Sequence, residues 1–270
     1  MDMRSQGARL RWRPLPWFLE LVSILAGYGL YSLVRLLAPH RVVASYDNAS
    51  LVLGIERAVG LFPELALNTF LVQYHWLVDF ASYWYATAHF VVTPGVLIWL
   101  FVRHGWAYSL LRSALVIATV SALVVYATWP LAPPRFVVAG AVDTVTENPV
   151  IWAKEGAAAF VNEFAAMPSL HVGWAVWCAV AVVVVLRSPW RHLAWLYPAT
   201  TTWVVMATAN HYVLDAVGGT LVVAVPLYLC GLRLRDLWWS PAQEAEAILN
   251  APGADEGTAG RRGTTGATLA

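Results

Sequence analysis

The sequence predicts an all-α membrane protein, a polytopic bundle of about six transmembrane helices with additional interfacial helices. The 270 residues are 59% hydrophobic and only 12% charged, whereas a soluble domain carries about 25% charged residues. The apolar residues also come in uninterrupted stretches of roughly 20, the length that crosses about 30 Å of hydrocarbon. A net charge of +1 gives no reason to expect a nucleic acid as partner.

The elements can be assigned in order along the chain. Residues 1–14 contain four arginines and form a predicted basic cytoplasmic leader. Residues 39–76 mix apolar and polar side chains, which favours short amphipathic helices at the membrane interface. Residues 236–270, dominated by Gly, Thr and Ala near the end, form a predicted disordered cytoplasmic tail. The domain between leader and tail, residues 15–235, is the predicted catalytic unit, with spans expected at 15–37, 83–102, 108–128, 170–186, 193–209 and 212–232.

The distribution of arginine and lysine predicts the orientation of these spans. If the N-terminus is cytoplasmic and six spans alternate, 12 of the 17 basic residues lie on the cytoplasmic side and 5 on the outer side. Both termini are therefore predicted to be cytoplasmic, with the protein in the cell (plasma) membrane. The loop at 129–167 and the turn at 209–212 are then predicted to lie together on the extracytoplasmic face.

Three short polar segments converge on that predicted outer face. Because ionisable residues at membrane depth are costly and usually functional, we expect these segments to form a reactive centre. The segments are Pro130-Leu-Ala-Pro-Pro-Arg135 after the third span, Met167-Pro-Ser-Leu-His171 before the fourth, and Ala209-Asn-His-Tyr-Val-Leu-Asp215 before the sixth.

The side chains in these segments suit phosphoryl transfer. His211 and Asp215 are four residues apart, so we expect them to share one helix face. A carboxylate beside an imidazole fixes its tautomer and raises its basicity, and a neutral histidine can attack phosphorus. His171 can then protonate the leaving oxygen, while Arg135 and Ser169 donate to phosphate oxygens. The sequence thus predicts His171, His211 and Asp215 as catalytic residues that work without metal or cofactor.

A further polar pair lies within the predicted span at 83–102. Tyr85 and His89 are four residues apart and therefore share a helix face, which we expect to look into the bundle. On this interpretation the pair lines the pocket that binds the headgroup of a substrate or the molecule that accepts the transferred phosphoryl group. The alternative is an aromatic belt at the membrane interface with one interhelical hydrogen bond.

The two histidine-containing segments carry a family resemblance. Phe164-Ala-Ala-Met-Pro-Ser-Leu-His171 and Asn210-His-Tyr-Val-Leu-Asp215 resemble the type 2 phosphatidic acid phosphatase (PAP2) superfamily over residues 50–232. With its Pro-Pro-Arg segment, the chain is most similar to the inositolphosphotransferase branch that includes fungal inositol phosphorylceramide synthase. The resemblance implies a phosphohistidine on His211, orientation of that ring by Asp215 and protonation of the leaving group by His171. It also implies phosphate binding by Ser169 and Arg135.

The chain departs from the phosphatase pattern at two positions. Thr128 stands where a lysine is expected seven residues before Arg135, and Val205 stands where an arginine is expected six residues before His211. The inositolphosphotransferase branch lacks these residues too, so the resemblance to that branch is favoured.

The predicted function is an integral membrane lipid phosphatase or phosphotransferase that acts on a phospholipid or lipid phosphate through phosphohistidine. Phosphoinositol or a similar headgroup is the candidate for transfer, with a hydroxyl compound as acceptor. One alternative is a non-enzymatic transporter or scaffold with a proton or ion site, although carrier sites usually lie near the bilayer centre. Another is Zn²⁺ bound by His171, His211 and Asp215, although Arg135 beside them fits an anion better. The oligomeric state is not predicted.

Overall fold

A computed structural model describes residues 42–145 and 163–232, together with Phe18, Val22 and Gly29. The basic leader, nearly all of the first predicted span and the C-terminal tail lie outside the described residues. The described helices are α1 (Val42–Ala58), α2 (Glu64–Leu71), α3 (His75–Arg103), α4 (Gly105–Thr128), the single turn α5 (Pro134–Val137), α6 (Leu170–Val185), a 3₁₀ helix (Pro189–Trp195), α7 (Leu196–Ala207) and α8 (Val213–Leu229).

The helices confirm the predicted all-α class for the part of the chain that the structure describes, where the β-structure is one isolated bridge between Leu131 and Ala165. Two helices, α3 and α4, are long and apolar enough to cross a membrane, and α6 and α8 are shorter apolar helices. Large apolar side chains on α3 are well exposed, among them Phe90 and Val91 at 67% and 70%, as a lipid-facing surface requires. The count of six spans stays a prediction.

Two boundaries differ from those expected. α3 begins at His75 instead of residue 83, since the helical pattern of apolar residues already starts upstream of the hydrophobic run. The predicted fifth span divides into the 3₁₀ helix and α7. The 3₁₀ helix starts at Pro189, and α7 carries Pro198 in its first turn, where a missing backbone N–H costs nothing.

Helix α6 lies at the centre of the bundle and contacts α3, α4, α7 and α8. Two indole N–H groups tie it to α4, with Trp177 donating to Leu111 O at 2.9 Å and Trp174 to Thr119 Oγ1 at 3.1 Å. Each bond satisfies a polar group that would otherwise be costly between membrane helices. The two bonds therefore fix the middle of α6 against α4.

Glycines bring α6 and α8 unusually close together. An ideal Cβ at Gly219 would lie 2.1 Å from Ser169 O, and one at Gly173 would lie 2.8 Å from Gly219 O. Small residues of this kind allow the backbones of membrane helices to approach. The approach occurs next to the two segments that carry His171 and His211, so it sets their separation.

Gly219→Ala is therefore expected to lower both thermal stability and turnover, because the helices must separate to accommodate the methyl group. Overpacking of this kind costs about 1–3 kcal/mol. Gly218→Ala is the matched control, since its Cβ would meet nothing nearer than Pro168 Cβ at 3.4 Å and alanine favours a helix by about 1 kcal/mol. Thermal unfolding in detergent compares the two variants, and equal melting temperatures would contradict the close-approach model.

Of the remaining short helices, α1 contacts α5 and α8, and α2 contacts α3 and α7. Ala132 N–H donates to Ser45 O of α1 at 3.1 Å, and Asn68 of α2 donates to Ala207 O at 2.8 Å. The buried Asn68 also exchanges two hydrogen bonds with the backbone of Val142. The prediction of short helices between residues 39 and 76 is thus confirmed, and their place at the membrane interface stays a prediction.

Candidate active site

Backbone hydrogen bonds join the three polar segments. Arg135 N–H donates to Ala209 O at 2.9 Å, and Ser169 N–H donates to Asp215 O at 2.9 Å. The parallel bridge at Leu131 adds a bond from its N–H to Phe164 O at 2.8 Å. The segments that the sequence brings together by topology therefore form one cluster at the ends of α4, α6 and α8.

His211 is held with one ring nitrogen turned towards acceptors. Its Nδ1 lies 2.8 Å from Ala166 O and 3.4 Å from Asp215 Oδ2, and its backbone N–H donates to Val205 O. A carbonyl oxygen can only accept, so the hydrogen-bond network assigns the proton to Nδ1 and the lone pair to Nε2. The buried ring thus keeps the lone pair of Nε2 free.

The contact between His211 and Asp215 differs in two respects from the contact expected on one helix face. α8 begins at Val213, so His211 precedes the helix and meets Asp215 across its first turn instead of along one helical face. The nearer acceptor for Nδ1 is the Ala166 carbonyl, which sequence reasoning missed because a backbone contact 45 residues away leaves no side-chain signal. Asp215 acts on the ring from a slightly longer distance.

Asp215 also caps α8. Its Oδ2 accepts the Tyr212 N–H at 2.9 Å, the contact that an acidic residue makes with the N-cap N–H in a capping box. The carboxyl group is completely buried, and Oδ1 has no hydrogen-bond partner among the described groups. One side chain therefore couples the start of the helix to the ring of His211.

His171, the second residue of α6, lies across from His211 with 5.7 Å between ring centroids and 62° between planes. Tyr85 stacks on His171 at 4.3 Å and 25°, and His89 meets it edge-on at 4.3 Å and 78°. The structure thus brings both residues of the α3 pair against His171, and their place in a ligand pocket stays a prediction. The buried Nδ1 of His89 has no hydrogen-bond partner in the described part of the chain.

Arg135 lies beside the segment that carries His211 and already has polar partners. Its Nη1 donates to Asn210 Oδ1, and its Nε lies 2.9 Å from Asp143 Oδ2 in an ion pair that lacks hydrogen-bond alignment. The guanidinium also covers the Phe136 ring at 4.5 Å. Asp143 was missed from the sequence, where it is one acid in a long polar loop. A guanidinium has five N–H donors, so these contacts orient Arg135 and leave donors for an anion.

Ser169 is the N-cap of α6. Its Oγ accepts the Val172 N–H at 3.5 Å, and the residue is fully buried. The structure therefore assigns it a capping contact, whereas its predicted contact with phosphate stays a prediction. A hydroxyl that accepts one bond can still donate another.

Two acidic residues that bind the start of α8, Glu64 of α2 and Glu56 of α1, were missed as site residues. The Val213 N–H donates to Glu64 Oε1 at 2.9 Å and the Leu214 N–H donates to Glu56 Oε1 at 2.7 Å. Both glutamates are buried, at 1% and 0% exposure. In the sequence they are two of the polar residues within the predicted amphipathic segment at 39–76, and acids in a largely apolar segment are the available signal.

Zinc binding finds no support from the geometry. Within the described ranges, no group of three His, Cys, Asp or Glu side chains is arranged to hold a metal ion. The predicted trio includes a completely buried Asp215 whose Oδ2 already accepts a backbone N–H.

The cluster lies within a region that matches a known family. Residues 50–229, two thirds of the chain, match the model of the PAP2 superfamily. The chain belongs to the PAP2 superfamily. All three polar segments lie within the matched region of this PAP2 protein, and family membership together with the apolar helices indicates a membrane protein with phosphatase-type activity on lipid phosphates. No curated protein and no solved structure matches the chain.

The resemblance drawn from the two histidine segments is thereby confirmed for the superfamily. The inositolphosphotransferase branch stays a prediction. The two positions that favoured it have ordinary structural contacts in this PAP2 protein. The Thr128 hydroxyl donates to Val124 O on its own helix, and the Val205 carbonyl accepts the N–H groups of Asn210 and His211.

Proposed function

We propose that this PAP2 protein cleaves a lipid phosphate ester or diester through a phosphohistidine formed on His211. The observation that supports the proposal most directly is the contact of Nδ1 with Ala166 O at 2.8 Å, which leaves Nε2 to attack phosphorus. His171 at 5.7 Å between ring centroids is near enough for one phosphate group to contact both rings.

The reaction divides into two displacements at phosphorus. In the first, His211 Nε2 forms a bond to phosphorus while the lipid oxygen departs with a proton from His171. Asp215 and the Ala166 carbonyl stabilise the positive charge on the imidazole ring. In the second, the oxygen of water or of another hydroxyl attacks phosphorus, gives its proton to His171 and displaces Nε2. Each step restores the protonation state that the other needs.

Arg135 and Ser169 are the proposed phosphate ligands. Arg135 is fixed by Asn210 and Asp143 beside the chain that carries His211, so its guanidinium is oriented before the substrate binds. Preorganised donors of this kind stabilise the charge that develops on phosphate oxygens.

Tyr85 and His89 are the proposed headgroup or acceptor ligands. Both pack on His171, and the unpartnered, buried Nδ1 of His89 is a group that a polar ligand would satisfy. Transfer of phosphoinositol or a similar headgroup to a hydroxyl acceptor would use this side of the pocket. The Pro-Pro-Arg segment and the absence of cations at Thr128 and Val205 support that branch.

The position of the cluster supports an enzyme over a transporter. His171 lies in the first turn of α6 and His211 precedes α8, so both lie at helix ends, whereas carrier sites usually lie near the bilayer centre. The predicted alternation of spans places this end on the extracytoplasmic side of the plasma membrane.

A lipid-substrate assay tests the proposal. Purified protein in micelles is given phosphatidic acid or phosphatidylinositol, with and without a lipid bearing a free hydroxyl, in excess EDTA. We expect turnover to persist in EDTA, with release of free phosphate if water resolves the intermediate and a labelled acceptor if a hydroxyl does. Activity that EDTA abolishes and Zn²⁺ restores would contradict the metal-free mechanism.

A further inference from the structure

The start of α8 is capped by three carboxyl groups from three different helices. The first three backbone N–H groups, at residues 212–214, donate to Asp215, Glu64 and Glu56 at 2.9, 2.9 and 2.7 Å. An ordinary helix N-terminus uses one side chain and water for these groups. Because Glu56 belongs to α1 and Glu64 to α2, these helices bind directly to the turn that follows His211.

The second oxygens of the two glutamates indicate a shared proton. Oε2 of Glu56 and Oε2 of Glu64 are both buried and find no donor among the described groups. Their Oε1 atoms accept from the consecutive N–H groups of Val213 and Leu214, so the two carboxyl groups lie side by side. A proton held between them would supply the donor that two ionised carboxylates lack. Two buried carboxylates side by side cannot both ionise cheaply.

The surroundings of the two glutamates raise the pKa of both. Burial is the largest cause that raises the pKa of Glu56 to about 8, and the charges of Glu64 and Asp215 raise it as well. The hydrogen bond from the Leu214 N–H acts in the opposite direction and lowers this pKa. Burial raises the pKa of Glu64 as well. The titratable groups that face this pair are Asp215 and the Tyr212 phenol, both at the start of α8.

We propose that Glu56 and Glu64 form a proton-sharing dyad that positions the first turn of α8, and with it Asp215 and His211, for phosphoryl transfer. This inference rests on the function proposed for His211. Both glutamates are positioning residues: they hold the N–H groups of Val213 and Leu214. A shift of that turn would move the His211 ring away from the Ala166 carbonyl and from His171.

The dyad has a consequence for pH dependence. The pKa of Glu56 in the folded protein, about 8, lies above its ordinary value of 4.5, so the folded state binds more protons between these values. Stability therefore falls as pH rises through this window. Above it, loss of the shared proton leaves three neighbouring carboxylates, whose repulsion loosens the turn.

Thermal unfolding in detergent from pH 5 to pH 9 tests the dyad without any substrate. In Glu56→Gln, the amide oxygen can still accept the Leu214 N–H but the side chain no longer ionises. We expect the melting temperature of the wild type to fall across this range and that of Glu56→Gln to fall much less. Asp47→Asn, an exposed acid on the same helix, is the matched control and should follow the wild type. Identical pH slopes in Glu56→Gln and the wild type would overturn the proposal.

Kinetics separate positioning from a merely structural role. Glu56→Ala, which removes the cap, should lower kcat roughly 10- to 100-fold, as expected for a displaced reacting group, with KM nearly unchanged. Glu56→Gln should restore kcat and move its alkaline limb to higher pH. A wild-type kcat in Glu56→Ala, or an unmoved limb in Glu56→Gln, would count against the dyad. If the wild type fails to turn over lipid phosphates, the proposed function fails, and the unfolding experiment still decides whether the shared proton exists.

Discussion

His211→Ala is expected to abolish turnover of lipid phosphates and formation of an acid-labile phosphoenzyme. The variant lacks Nε2, the atom that the contact of Nδ1 with Ala166 O leaves as nucleophile. Loss of a catalytic nucleophile lowers kcat by roughly 10⁴-fold or more. Brief incubation with a ³²P-labelled lipid phosphate, followed by an alkaline quench and gel electrophoresis, measures the phosphoenzyme, while phosphate release measures turnover.

His75→Ala is the matched control for this variant. His75 is exposed at the start of α3, so its removal should leave both readouts at the wild-type level. The backbone N–H of residue 211 keeps its bond to Val205 O, and the variant should therefore fold. Wild-type turnover in His211→Ala would refute the phosphohistidine mechanism, and a normal phosphoenzyme signal would place the nucleophile elsewhere.

His171→Ala is expected to depress turnover strongly for substrates with poor leaving groups and only weakly for activated ones. An alkyl oxygen needs a proton as it departs, whereas a nitrophenolate does not. Loss of a general acid therefore costs about 10²–10⁴-fold for the alkyl ester. The measurement compares kcat/KM for a lipid phosphate and for a nitrophenyl phosphate in the same preparation.

The His171 ring also packs on Tyr85 and His89, so its removal leaves space beside α3. His171→Asn keeps part of that volume without an acid of suitable pKa, and thermal unfolding of both variants measures the packing contribution. The expected pattern is a leaving-group-dependent loss in both variants. Equal losses for the two substrates would contradict the role of His171 as general acid and indicate a packing role instead.

Much of the fold followed from the sequence because lipid as solvent imposes strong rules. Long apolar runs punctuated by Gly, Pro and charge located α4, α6 and α8 to within a few residues. The early start of α3 and the division of the fifth span between Trp195 and Leu196 were missed, because composition marks where the hydrocarbon lies and not where a helix begins or ends.

In the site, too, some features could be predicted from local sequence pattern and others could not. His171, His211 and Asp215 could be selected because polar residues stand out in an apolar chain, and Tyr85 and His89 because four-residue spacing places them on one helix face. Asp143, which pairs with Arg135, lies in a loop where acids are common and carry no such signal. The Ala166 carbonyl, a backbone group, could not be inferred from side-chain identity.

Local pattern was enough to determine the all-α class, the main apolar helices and the residue types of the reactive centre, since each depends on residues close together in the chain. Tertiary structure alone decided which nitrogen of His211 keeps a free lone pair, how closely Gly219 lets α6 approach α8, and that Glu56 and Glu64 cap a helix about 150 residues away. These features depend on contacts between distant segments, and their free energy comes from burial and backbone hydrogen bonds that exist only once the bundle has packed.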